Sequence, residues 1–130
     1  MNVLDTDTCV ELLHGNPRVA AARERCDELP VVSTISVAEL YFGAAYSDEP
    51  ERNRELVDEF LGSLPVVELD RFAALIFGEI KASLRRAGRG LPEADLLIAA
   101  TALACDAVLV TGNRRHYDRI PGLQLENWIR

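Results

Sequence analysis

The feature that most constrains the fold is an alternation of short apolar runs with longer segments that have helical periodicity. The short runs are NVLD, PVVSTI, PVVEL and AVLVTG, with LQLENW as a possible fifth. Short strands that are apolar along their whole length are typical of a parallel sheet covered on both faces. The sequence therefore predicts an α/β three-layer sandwich with a central parallel sheet of about four to five short strands flanked by helices.

Length and composition indicate one globular unit. The chain has 130 residues, of which 48% are hydrophobic, so we expect a single domain spanning residues 1–130. No run is long and apolar enough for a membrane span, and Asp5 and Asp7 make the start of the chain unlike a signal peptide. We therefore expect a cytoplasmic protein. The three cysteines have no CxxC spacing and are predicted to be buried free thiols.

The charge is acidic overall but unevenly distributed. A net charge of -7 argues against a protein that coats nucleic acid nonspecifically, because such binding needs many Lys and Arg contacts to phosphate. Half of the 14 basic side chains nevertheless flank one segment; these are Lys81, Arg85, Arg86, Arg89, Arg114, Arg115 and Arg119. The two clusters favour an anionic ligand near that segment, with solvated helix ends and turns as the alternative.

The segment between these clusters, LPEADLLIAATALA, places a carboxylate where ionisation is costly. Asp95 stands at the head of a helical run that is otherwise apolar on almost every side, and such helices are buried. An ionised carboxylate taken out of water costs several kcal/mol unless it has a partner. The sequence therefore predicts that something compensates Asp95.

Polar residues follow several of the predicted strands, and in parallel α/β sheets ligands bind outside the carboxyl ends of the strands. Asp5 ends the first strand, Glu39 lies one turn into the helix after the second, and Thr111 and Asn113 follow AVLV. Carboxylates that converge there repel each other unless a cation lies between them, and hard oxygen ligands suit Mg²⁺ or Mn²⁺. Such a site could do phosphoryl chemistry, in which the metal generates hydroxide from water and neutralises phosphate charge.

Each of these acids also has a structural interpretation. Asp5 could cap the first helix, the SVAE segment that contains Glu39 matches a capping box, and Asp95 could serve the dipole of its helix. For Glu39 taken alone the cap is favoured, whereas the apolar surroundings of Asp95 count against a purely structural role. The chemistry needs no histidine, and His14 and His116 are both predicted to be surface residues.

Three long stretches carry a family resemblance in order along nearly the whole chain. They are NVLDTDTCVELLHG, VVSTISVAELYFGA and GLPEADLLIAATALACDAVLVTGNRRHYDRIPGLQLENW, the last being the most specific. Together they resemble the PIN-domain ribonucleases of the VapC toxin family, which implies the same α/β sandwich. The resemblance implies that Asp5, Glu39 and Asp95 match the family's three acidic metal-site positions. Thr6 matches the small hydroxyl residue beside the first acid.

The function implied by the resemblance is a Mg²⁺-dependent endoribonuclease toxin of a type II toxin–antitoxin pair, with Mn²⁺ able to substitute. The implied partners are RNA, a VapB-like antitoxin and a second copy of the chain in a homodimer. Asp5, Glu39 and Asp95 would be catalytic and hold the metal, with Thr111 and Asn113 close behind them. By fold position, the candidates for binding RNA phosphate are Arg85, Arg86, Arg89, Arg114 and Arg115.

Two positions depart from the family pattern. Asp7 stands where the first motif commonly has asparagine, which adds a fourth carboxylate near the first strand. Asn113 stands where many PIN domains have a fourth acid. Its amide can hold a metal-bound water but brings no charge, which weakens the case for a second tightly bound metal ion.

Two other functions compete with the ribonuclease. VLDTDT also resembles the Asp-x-Asp-x-Thr motif of haloacid-dehalogenase-type phosphatases, with Asp5 as nucleophile and Asp7 as acid. Those enzymes need a phosphate-binding lysine and a downstream acidic pair, yet the only lysine is Lys81, in mid-helix. The other alternative is a noncatalytic PIN-like module that only binds a partner, and retention of all three acids counts against it.

Overall fold

The computed structural model describes residues 1–130 and contains five parallel strands and seven helices. The strands are β1 (Asn2–Leu4), β2 (Val31–Ser33), β3 (Val66–Val67), β4 (Val108–Val110) and β5 (Gln124–Glu126). The helices are α1 (Thr6–Leu13), α2 (Pro17–Glu24), α3 (Thr34–Ala45), α4 (Pro50–Leu61), α5 (Arg71–Arg86), α6 (Glu93–Ala104) and α7 (Arg114–Tyr117). The predicted α/β sandwich with a central parallel sheet is confirmed.

The order of the strands creates a crevice at the carboxyl edge of the sheet. The order is β3-β2-β1-β4-β5. Strands β2 and β3 therefore lie on one side of β1, and β4 and β5 lie on the other side. The reversal lies between β1 and β4, where Leu4 is in register with Val110 and the Asp5 amide donates to the Val110 carbonyl at 2.9 Å. Ligands of open α/β sheets bind at such a reversal.

The sheet separates two hydrophobic cores because successive residues of a strand point to opposite faces. One core contains Leu4, Val32 and Val110 with residues of α1 to α4, and the other contains Val3, Val31 and Leu109 with residues of α5 and α6. Each central strand therefore contributes to both cores, as the continuous apolar runs predicted.

The helices after β1 and β2 begin without an intervening loop. Asp5 alone separates β1 from α1, and Ser33 is both the last residue of β2 and the cap of α3. The Ser33 hydroxyl accepts from the Ser36 amide at 3.1 Å, so Ser36 lies in the first turn and does not head the helix. The capping box predicted for the SVAE segment is therefore wrong by one turn.

All three cysteines are free, as predicted, but only Cys9 is buried, while Cys26 and Cys105 are partly exposed. None of the seven helices combines the length and hydropathy that a membrane crossing requires.

Candidate active site at the carboxyl edge of the sheet

A small cavity of about 110 Å³ lies in the crevice between β1 and β4, and we call it the acidic cavity. It is lined by Asp5, Thr6, Asp7, Glu39, Asp95, Thr111, Asn113, His116 and Tyr117. The three predicted catalytic acids and the three polar residues predicted around them all lie there. No lysine or arginine lines it, so the carboxylates have no permanent positive charge among the lining residues.

Asp5 is both a helix cap and a wall of the acidic cavity. Its Oδ1 accepts from the Thr8 amide at 2.8 Å, and the residue is only 6% exposed. Burial raises the pKa of the Asp5 carboxyl, hydrogen bonds from Thr111 and Thr8 work against this rise, and the charge of Asp7 adds to it. The ionised form of Asp5 is therefore costly, and a cation in the cavity would stabilise it.

Glu39 is held in place from α1. The Thr6 hydroxyl donates to Glu39 Oε1 at 2.5 Å, and the same hydroxyl oxygen lies 3.0 Å from Ser36 Oγ. A hydroxyl has one proton, which Thr6 gives to the carboxylate, so Ser36 donates to Thr6. Glu39 thus belongs to a network that fixes its carboxylate at the cavity, and the capping role favoured for it in isolation is wrong.

Asp95 is paired with a histidine that the sequence interpretation placed on the surface. Asp95 Oδ2 lies 2.7 Å from His116 Nε2, and the two side chains are only 29% and 28% exposed. His116 is held there by the single turn of α7, which was not predicted. The surface assignment of His116 is therefore wrong, whereas His14 is exposed as predicted.

Tyr117, the next residue, was also missed and closes the acidic cavity from the core side. It is buried, and burial raises the pKa of its phenol, with the charges of Asp95 and Asp5 adding to the rise. The signal that could have found both residues is position, because His116 and Tyr117 lie within one turn of Asn113 at the carboxyl edge of β4.

The donor set of the acidic cavity fits a hard divalent cation. Its carboxylate, hydroxyl and amide oxygens are the ligand types that Mg²⁺ and Mn²⁺ prefer. As the side chains stand, no three His, Cys, Asp or Glu groups converge closely enough to complete a metal site. Glu39 Oε1 and Asp95 Oδ2 are hydrogen-bonded to Thr6 and His116, and each oxygen keeps a second lone pair that could bind a cation.

A second cavity, of about 310 Å³, lies beside the first, and we call it the arginine cavity. It is lined by Leu84, Arg89, Gly90, Leu91, Arg115, His116, Arg119 and Ile120. Of the five arginines predicted to bind RNA, Arg89 and Arg115 lie here. The others, Arg85, Arg86 and Arg114, line neither cavity, whereas Arg119, not predicted to bind RNA, does.

Similarity to known proteins extends over almost the full chain. Residues 3–123 match the model of the PIN domain. The chain is 36% identical over 127 residues to the tRNA(fMet)-specific endonuclease VapC of Salmonella typhimurium, covering 97% of this chain and 96% of the relative. It is also 36% identical over 128 residues to ribonuclease VapC2 of Haemophilus influenzae, covering 98% and 97% of the two chains.

Solved structures agree with the sequence relatives. VapBC2 from Rickettsia felis, bound to a DNA fragment from its promoter, has a chain with TM-score 0.91 and 33% identity, covering 98% of both chains. DNA-bound VapBC from Salmonella typhimurium has one with TM-score 0.92 and 35% identity, covering 98% and 97%. Nucleases of this kind generally depend on a divalent metal ion. On fold, motif order and similarity together, this chain belongs to the PIN-domain family of VapC ribonucleases.

Proposed function

We propose that this protein is a Mg²⁺-dependent endoribonuclease that acts in the cytoplasm as the toxin of a type II toxin–antitoxin pair. One observation supports this most. Asp5, Glu39 and Asp95 come from three distant segments and line the same cavity of about 110 Å³, which has no lysine or arginine in its wall. Such a cluster is tolerable chiefly when a cation shares the site, and phosphodiester hydrolysis is the reaction that such cations assist.

Each residue has a distinct role in this proposal. Asp5 and Asp95 would hold the metal ion, and Glu39, aligned by Thr6, would ligate it or orient the attacking water. When bound, a divalent cation lowers the pKa of water and neutralises charge on the attacked phosphate. The Thr111 hydroxyl accepts a hydrogen bond from the backbone amide of Asn113 at 3.0 Å, which stabilises the turn that carries Asn113. The Asn113 side chain does not cap α7, so it is free to bond to water or phosphate.

Cleavage of single-stranded or looped RNA tests this proposal directly. The parent should cut in Mg²⁺ or Mn²⁺ and stop when EDTA is added, because every proposed catalytic group acts through the cation. Asp5→Asn, Glu39→Gln and Asp95→Asn should each lower the rate about a hundredfold or more, since metal assistance contributes several kcal/mol. Gel-resolved products under single-turnover conditions give these rates.

Asp7→Asn is the matched control, because it removes a carboxylate from the same cavity without touching the proposed ligands. It should retain activity. Undiminished cleavage in EDTA would refute the proposal. If Asp7 proved essential and Glu39 dispensable, the phosphatase would be favoured instead, although Lys81 pairs with Glu93 and does not line the acidic cavity. Failure to bind Mn²⁺ in a calorimetric titration would favour the noncatalytic module.

The identity of the RNA can be approached through the relative from Salmonella typhimurium, which is named as specific for tRNA(fMet). We extend that specificity to this chain as the first substrate to test. The parent should cut tRNA(fMet) faster than an elongator tRNA of equal length. Equal rates on both would assign this chain a different RNA while leaving the endoribonuclease proposal intact.

A cognate partner completes the proposal. Solved relatives are VapBC complexes, and we propose a VapB-like antitoxin and a homodimer for this chain as well. Expression of the parent alone should arrest growth, Asp95→Asn should not, and coexpression of the antitoxin should restore growth. Equal growth with the parent and with Asp95→Asn would count against the toxin assignment.

A further inference from the structure

We propose that the arginine cavity binds a phosphate of the RNA strand that neighbours the phosphate being cut. This inference deepens the proposed function and rests on it, because it assigns a position on the protein to the substrate of the acidic cavity. Its ligand is a backbone phosphodiester, recognised by charge and shape and not by base sequence.

Three arginines from separate positions converge on the arginine cavity. Arg89 follows α5, Arg115 lies in α7 and Arg119 follows it, yet all three line one cavity. Arg89 and Arg115 form no salt bridge, and the one of Arg119, to Asp118, is long at 3.8 Å. In a chain with 21 acidic and 14 basic residues, three cations with so little compensation make a local positive site.

The lining of the arginine cavity fits a phosphate group chemically. Guanidinium groups present planar donors that match phosphate oxygens, and they are less strongly hydrated than ammonium groups. Leu84, Leu91 and Ile120 also line the cavity, and such apolar side chains support the stems of arginines while the charged heads stay in solvent. A volume of about 310 Å³ equals roughly ten water molecules at about 30 Å³ each, which leaves room for a phosphate and part of its sugar.

The arginine cavity also lies next to the proposed catalytic acids. His116 lines both cavities, and its Nε2 lies 2.7 Å from Asp95 Oδ2. A strand that has one phosphate in the acidic cavity therefore reaches the arginines by passing a single side chain. This adjacency favours the RNA over an acidic segment of a protein partner, which would have no reason to continue into a cavity lined by carboxylates.

The test compares two pairs of substitutions that each remove two positive charges. Arg115→Ala with Arg119→Ala changes the arginine cavity, whereas Arg85→Ala with Arg86→Ala changes exposed residues nearby and also tests the RNA-binding role predicted for them. The affinity of each variant for a single-stranded RNA is measured over a range of salt concentrations in EDTA, where the RNA stays uncut. Melting temperatures confirm that both variants fold.

We expect the cavity pair to raise the Kd about tenfold at low salt and to lower the slope of log affinity against log salt by about 0.7 per lost contact. The control pair should change the Kd less than about threefold, as expected for screened charges outside the contact. Arg115→Lys with Arg119→Lys should recover part of the affinity lost in the alanine pair, because lysine keeps the charge but lacks the planar guanidinium group. Arg89→Ala should weaken binding in the same direction.

The outcomes separate this inference from the proposed function. If the parent cuts RNA in Mg²⁺ but the cavity pair binds RNA no worse than the control pair, this inference is overturned and the ribonuclease stands. If the cavity pair keeps its RNA affinity but loses affinity for the antitoxin, the cavity belongs to the protein partner and the inference is also overturned. If the parent neither binds nor cuts any RNA, both the proposed function and this inference are overturned.

Discussion

The acidic cavity and the arginine cavity share a wall but are built in opposite ways. In the acidic cavity the carboxylates are held by the fold, since Asp5 caps α1, Glu39 accepts from Thr6 and Asp95 is paired with His116. The three arginines are exposed and, apart from the long contact of Arg119 to Asp118, carry no salt bridge. The carboxylates proposed for catalysis are thus fixed by hydrogen bonds in the folded protein. The arginines proposed for RNA binding lie close together but are not fixed in this way.

The charged groups of the two cavities also differ in how they affect the stability of the folded protein. Asp5 is buried beside other carboxylates, and its raised pKa means that folding disfavours its ionised form. The arginines remain solvated, and exposed charges affect stability little in either direction. Substitutions that remove the Asp5 charge should therefore lower activity and raise stability. Substitutions in the arginine cavity should change RNA binding alone.

Among changes that leave every acid in place, the largest effect on the cleavage rate should follow from loosening the acidic cavity. Thr6→Val deletes the hydroxyl that donates to Glu39 and accepts from Ser36, so the Glu39 carboxylate loses its alignment. A hydrogen bond to a charged group contributes about 1.5 kcal/mol or more, so the cleavage rate should fall about tenfold. Single-turnover rates at saturating RNA measure this. Thr6→Ser keeps the hydroxyl and should stay near the parent; an equal loss in both variants would show that packing, not the hydroxyl, matters.

A smaller effect, in the opposite direction, is expected for the stability of Asp5→Asn in EDTA. The pKa of Asp5 is raised in the folded protein above the ordinary 3.8, so between these two values the folded state keeps a proton that the unfolded chain has released. The free energy of unfolding contributed by this group is highest below pH 3.8 and falls as pH rises through the raised pKa. Asparagine can still cap the helix but does not ionise.

Asp5→Asn should therefore melt a few degrees above the metal-free parent at pH 7, and the difference should shrink as pH falls toward 3.8. Thermal denaturation of both proteins across this pH range measures the difference in melting temperature. The other carboxylates are common to both proteins, so their contribution cancels in the difference. Asp7→Asn, at an exposed position, should show a much smaller change. A variant that melted below the parent at every pH would mean that the Asp5 carboxylate stabilises the fold.

The smallest effect should come from adding charge to the acidic cavity. Asn113→Asp places a further carboxylate at a lining position whose side chain does not cap α7. Mn²⁺ should bind severalfold more tightly, because exposed charges at short range contribute well under 1 kcal/mol each. Isothermal titration calorimetry measures the affinity. Gln124→Glu adds the same charge at an exposed position of β5 outside the cavity, and an equal gain there would mean that net charge alone sets the affinity.

The sequence was sufficient for the sheet and for Asp5, Thr111 and Asn113 because both follow from local rules. Short apolar runs define buried parallel strands, and residues after such strands meet at one edge, so Asp5, Thr111 and Asn113 could be placed together in advance. Glu39 needed the family resemblance, because its spacing from Ser36 taken alone favoured a cap. In the structure Ser33 performs that function.

The parts that were missed depend on long-range packing. Position after β4 places His116 near the carboxyl edge of the sheet, but a helix as short as α7 has almost no intrinsic stability. The pairing of His116 with Asp95 therefore could not be predicted from local sequence. Similarly, Arg89 lines the arginine cavity while Arg85 and Arg86 do not, which depends on how residues 87–92 cross the surface. Side chains on loops are placed by contacts with distant segments, which periodicity does not report.

The direct junctions between strand and helix determine where this chain can change its length. With only Asp5 between β1 and α1, and with Ser33 shared by β2 and α3, an inserted residue would rotate the following helix and displace Asp5 or Glu39. Residues 87–92, between α5 and α6, border the arginine cavity through Arg89 and have no such constraint. Insertions and deletions there would alter how tightly the RNA strand is held while the acids stay where they are, so we expect relatives to differ in length mainly at this connection.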